Sequence, residues 1–93
     1  MFVTPSIKYQ ISHLLENGIK EIDLSEFPFG KVREALEELG YYCSRLKDWI
    51  NKESLDYRLP IINQETNEAT GYVLTGSFYR GYCKIKKDET STQ

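Results

Sequence analysis

One stretch of the chain mixes aromatic and cationic residues at a spacing that could act on a ligand. Read as a strand from Phe78 to Lys86, it alternates. Phe78, Arg80, Tyr82, Lys84 and Lys86 fall on one side, and Ser77, Tyr79, Gly81, Cys83 and Ile85 on the other. Rings can stack on bases or on apolar side chains, and cations can follow phosphates. Such a strip therefore fits a protein surface, a nucleotide or single-stranded nucleic acid. The plainer reading is an edge strand guarded by lysines, with tyrosines covering the sheet. Charge is uneven along the chain: residues 1–56 hold seven Lys+Arg and ten Asp+Glu, and residues 57–93 hold five and four. A local basic strip thus sits on a mildly acidic protein of net charge −2.

Other chemistry finds little support. The one histidine, His13, lies off the apolar stripe of its helix and reads as a surface residue. No Ser or Cys carries a nucleophile signature, and no glycine-rich phosphate loop is present. Glu34, Glu37 and Glu38 share an exposed helix face, where charge runs are ordinarily solvated. Cys43 and Cys83 have no CxxC partner, which argues against zinc and for two reduced thiols; a disulfide would need their strands to be neighbours. These features predict a non-enzymatic protein with no cofactor and no metal.

The elements that would hold the strip are legible from hydrophobic period. Thr4-Pro5 opens a helix whose apolar face carries Ile7, Ile11, Leu14 and Leu15, and Asn17-Gly18 closes it. Ile19–Leu24 reads as a short strand. Ser25 can cap a second helix, with Pro28 in its first turn, Phe29, Val32, Leu36 and Leu39 inward, and Gly40 as its stop. Lys31–Glu34 and Arg33–Glu37 are spaced to pair on its outer face. Tyr41–Leu46 reads as a strand. Lys47–Asp56 fits a helical turn or a loop, with Trp49 plugging the core rather than anchoring an interface with Ile50. Tyr57–Ile62 and Ala69–Thr75 form a hairpin, with Pro60 marking an edge strand and Gly76-Ser77 a break or bulge.

The expected fold is α+β, two-layer, in the order α-β-α-β-β-β-β. Two helices cover one face of a mixed, mostly antiparallel sheet of about four or five strands. One globular domain spans residues 1–87, and 88–93 form a frayed tail. A winged-helix reading would make Gly30–Leu39 a recognition helix, but three glutamates against one lysine and one arginine would repel phosphate. The chain has no export signal or apolar span, so a cytoplasmic protein with no membrane contact is expected.

The residues Ile11, Leu14-Leu15, Gly18, Ile22, Leu24, Val32, Leu36, Leu39 and Gly40-Tyr41 resemble the α-β-α-β unit of small accessory proteins of bacteriophages and other mobile elements. That resemblance covers about 40 of the 93 residues and none with a functional role. It implies a small intracellular protein that acts by binding, in some cases on a host enzyme or defence component. The leading expectation is a protein-binding module, an inhibitor or modulator, whose contact surface is drawn from Tyr72, Phe78, Tyr79, Arg80 and Tyr82. Lys84 and Lys86 join it in the alternative, a nucleotide or single-stranded nucleic-acid binder. The third reading is a structural homodimer, and both a monomer and a homodimer fit the sequence.

Overall fold

A computed structural model describes residues 6–88 of the chain. Helix α1 (Ile7–Asn17) leads to strand β1 (Glu21–Asp23), helix α2 (Phe29–Glu38), strand β2 (Tyr41–Cys43) and a single helical turn α3 (Leu46–Trp49). Strands β3 (Asp56–Asn63), β4 (Ala69–Ser77) and β5 (Tyr82–Lys87) follow. All five strands form one antiparallel open sheet in the order β1-β5-β4-β3-β2. The α+β expectation holds, and the sheet has no mixed part between neighbours.

The first two strands occupy opposite edges. The link between them must cross the whole sheet, four strand spacings or about 19 Å. Ten-residue α2, about 15 Å long, and its flanking loops make that crossing.

Helix ends follow local chemistry. The expected start at Thr4-Pro5 lies outside the described residues; the cap is Ser6, whose Oγ accepts from Tyr9 N at 3.1 Å. Gly18 closes α1 in the left-handed region with φ 62°. Pro28, and not Ser25, stands at the N-cap of α2, and Gly40 follows its end with φ 96°.

One core holds the two layers together. Ile11 and Leu14 of α1 and Val32 and Leu36 of α2 pack with Leu59, Ile61, Leu74 and Ile85 of the sheet, all essentially inaccessible to water. Each such side chain contributes about 1.5–3 kcal/mol of burial. The ion pairs Lys8–Glu38 (3.0 Å) and Lys31–Glu34 (3.6 Å) are more than half exposed and contribute about 0–1 kcal/mol each. Packing therefore decides this fold, and surface charge does not.

Three expectations about the strands are corrected. Pro60 is not on an edge: β3 lies between β4 and β2. Its carbonyl accepts from Ser44 N at 3.2 Å just past the end of β2, so its missing N–H falls where that ladder stops, beside a register shift at Pro60/Ile62. Gly76-Ser77 is neither a break nor a bulge, because both residues pair within β4. The strand expected from Phe78 to Lys86 begins only at Tyr82, and residues 78–81 form a turn. The tail expected from residue 88 falls outside the described residues except Asp88, which is anchored: its N–H donates to Gly71 O at 2.8 Å and its carboxylate pairs with Arg58.

Candidate functional site

The two turns of the β3-β4-β5 meander lie at opposite ends of the sheet, and they differ in chemistry. At the end made by residues 78–81, the start of β3, the β1–α2 loop and the first residue of α2 enclose a cleft of about 200 Å³. Phe27, Phe29, Tyr57 and Phe78 supply its aromatic walls. Phe29 meets Tyr57 and Phe78 edge-on at ring distances of 5.1 and 5.2 Å, and Tyr57 lies 4.9 Å from Phe78. Such edge and tilted arrangements are the favoured ones for rings with polarised faces.

Gly76 makes room for this cluster. A methyl group there would stand 2.6 Å from the Tyr57 hydroxyl and closer still to the Tyr82 carbonyl. Tyr57 is 3% exposed, and only a neighbour without a side chain lets its ring cross β4. Burial pushes the Tyr57 phenol well above its ordinary range, and a hydrogen bond with Cys83 adds to this. Burial likewise raises the Cys83 thiol. Both groups stay protonated, so the floor of the cleft is neutral.

The rim is built by small polar residues. Ser25 Oγ donates to Asp23 Oδ1 at 2.5 Å and accepts from Cys83 N at 3.1 Å. It thereby occupies the edge of β5 where β1 has ended, and its hydroxyl holds the Asp23 carboxyl below its ordinary range. Ser77 Oγ accepts from Arg80 N at 3.1 Å and fixes the turn. The Ser77 hydroxyl, ahead of Ser54 and Arg80, lowers the Asp56 carboxyl.

The expected contact residues separate into three groups. Phe78, Tyr79 and Arg80 are exposed on the turn. Tyr82, Lys84 and Lys86 lie on the open face of β5, opposite Ser77, Thr75 and Val73 of β4. Tyr72 is a correction: it is 8% exposed, faces the helices, and its hydroxyl donates to Ile19 O at 3.2 Å, so it belongs to the core and not to a surface. The basic strip is also not a bare one. Arg80 pairs with Asp56 at 3.6 Å and Lys84 with Glu21 at 3.7 Å, while Lys86 sits across from Glu21 in the β1–β5 register.

Two residues outside the expected contact set join this end. Trp49 is no core plug: it is 47% exposed, on a helical turn with no buried residue. Ile50 next to it bridges Tyr57. Leu55 adopts φ 61°, a conformation that costs a branched side chain about 1–2 kcal/mol, yet it is 37% exposed. Its carbonyl accepts from Phe78 N at 3.1 Å, which ties the two apolar segments together. No pattern of period or composition marks Leu55; its signal is the Asn51–Ser54 turn before it, where Asn51 Oδ1 accepts from Glu53 N and Ser54 N.

At the other end, Asn63, Gln64 and Glu65 lie against Leu39, Gly40 and Tyr41 around a polar hollow. Gln64 Nε2 donates to Glu37 O at 3.1 Å and Tyr41 O at 2.9 Å, capping the end of α2. This hollow is spoken for by its own backbone. Cys43 and Cys83, on β2 and β5, are three strand spacings apart, roughly 14 Å, and are free thiols. Among the described residues no helix is long and apolar enough to cross a membrane. Comparison with family models, curated proteins and solved structures returns no match for the chain.

Proposed function

We propose that the chain is a cytoplasmic, non-enzymatic protein-binding module that docks its partner on the aromatic end of the sheet, in the manner of a small phage-type inhibitor or modulator. One observation carries this reading. Of the five large hydrophobic residues exposed among the described ones, Trp49, Leu55, Phe78 and Tyr79 lie on the two segments that meet at this end. Only Tyr9 is elsewhere, on α1. Leu55 holds a left-handed backbone conformation and is still 37% exposed, and an interface would cover the rest of its side chain. Aromatic residues at the centre of a patch are also the usual energetic anchors of protein association.

The open face offers less to nucleic acid, because Arg80 and Lys84 already have carboxylates beside them. Edge pairing between two copies also finds little backbone: both outer strands have three residues, and Ser25 takes the next free N–H of β5.

The test is capture from a host lysate with the wild-type chain, Phe78→Ser, Tyr79→Ser and, as control, Tyr9→Ser. A stoichiometric protein retained by wild type and Tyr9→Ser, and lost from the other two, is the expected result. Equal capture by all four chains, or tight binding of an oligonucleotide that Arg80→Ala abolishes, removes this reading.

A further inference from the structure

The cleft at the aromatic end is more selective than an apolar surface. Its volume of about 200 Å³ exceeds the ~150 Å³ that holds a benzene ring and falls short of the ~300 Å³ at which pockets for larger ligands begin. It has room for one ring or one branched side chain.

The serine, Tyr57 and Cys83 side chains of its lining are already engaged. Ser25 Oγ serves Asp23 and Cys83, Ser77 Oγ serves Arg80, and the Tyr57 hydroxyl is shared with the Cys83 thiol. Burial keeps the phenol and the thiol uncharged. A carboxylate, phosphate or ammonium group entering here would give up water, and none of the residues lining the cleft carries a charge to balance it. An uncharged ring meets the faces and edges of Phe29 and Phe78. The mouth opens beside Phe78 and Gly81, within the exposed apolar cluster.

We propose that this cleft is the socket for one uncharged aromatic or branched aliphatic side chain of the protein partner, an inference that rests on the protein-binding reading above. The partner's anchor is a Phe, Tyr or Leu class residue, and its charged neighbours stay outside, near the Asp56–Arg80 pair.

The probes are N-acetylated amides of phenylalanine, leucine, glutamate and lysine, added to the full ¹⁵N-labelled chain and followed by NMR. The phenylalanine and leucine probes should shift the amides of Phe78, Gly81 and Cys83 saturably. Gly40 and Gln64 at the far end should not move. Nuclear Overhauser contacts from the phenylalanine probe to the Phe29 and Phe78 rings would place it without any variant. Phe78→Ala, at a site 43% exposed, should weaken both apolar probes by about fivefold or more. Binding of the charged probes as strongly as the apolar ones, or shifts spread over both ends, overturns the socket. If no probe binds while Phe78→Ser still abolishes partner capture, the socket fails and the docking surface stands. If the apolar probes saturate but capture ignores Phe78 and Tyr79, the docking surface fails, and with it the assignment of the occupant to a partner.

Discussion

The two ends of the sheet are closed by the same device, a turn between antiparallel strands packed on one end of α2, and they are finished in opposite ways. At the Asn63–Glu65 end the exposed residues of the turn, 64–68, are all polar, and Gln64 spends its amide on the carbonyls of α2 and β2. At the Phe78–Gly81 end the polar atoms are consumed below the surface, and apolar side chains are left above it. The polar end shows what this fold needs in order to be closed. The aromatic end carries more than that, and the surplus is what the proposed docking would use.

Substitutions can break or sharpen this contrast. The largest effect is expected at Gly76. Gly76→Ala forces Tyr57 or the Tyr82 backbone to move and should cost about 3 kcal/mol in urea unfolding. A cost under about 1 kcal/mol would mean that the ring cluster is loosely packed and that the aromatic end is not a preformed site. At the polar end, Gln64→Ala removes two exposed hydrogen bonds and should cost about 1 kcal/mol, with partner capture unchanged. Loss of capture there would erase the distinction between the ends.

Leu55→Gly is the sharpest comparison because its two readouts diverge. Glycine accepts the left-handed backbone freely, so stability should hold or rise by about 0.5 kcal/mol while partner capture falls. A stability loss above about 1 kcal/mol would show that Leu55 is held for packing after all.

The smallest effect is on pH. Asp23 titrates below its ordinary 3.8 in the folded chain, chiefly through the Ser25 hydroxyl. A depressed carboxyl contributes stability that is present above the unfolded value and is lost as pH falls through the folded one. Ser25→Ala should therefore make the unfolding midpoint flatter below pH ~4, with little change at neutral pH. An unchanged acid limb would mean that Ser25 serves only the edge of β5.

Much of the fold was legible because its signals are local. Gly18 and Gly40 end helices by their own backbone preference, and the stripes Ile11–Leu14 and Val32–Leu36 face a core that needs them. The site was only half legible. Phe78, Tyr79 and Arg80 stand out in the sequence as surface residues, but in phase with a strand. The turn of residues 78–81 has four members, so an alternation of period two passes through it in phase, and Phe78 and Tyr82 keep the same parity on either side. Gly81, with φ 76°, was the local sign of the turn. Tyr72 misled for another reason: a tyrosine hydroxyl can be satisfied inside, here by the Ile19 carbonyl, and the sequence does not show that partner. Trp49 went the other way, because a four-residue helical turn is too short to carry its side chain into the core.

The strand order also bears on how the chain comes to be folded. The middle of the sheet is the β3-β4-β5 meander, whose neighbours are close in sequence, whereas β1 reaches its partner across more than sixty residues, Glu21 to Lys86. Contacts of short separation close first, at the lower entropic cost. Strand β1 therefore has no sheet edge to dock on until β5 has been made. In pulsed hydrogen exchange during refolding, amides of β3 and β4 should be protected before those of β1, and simultaneous protection would refute that order.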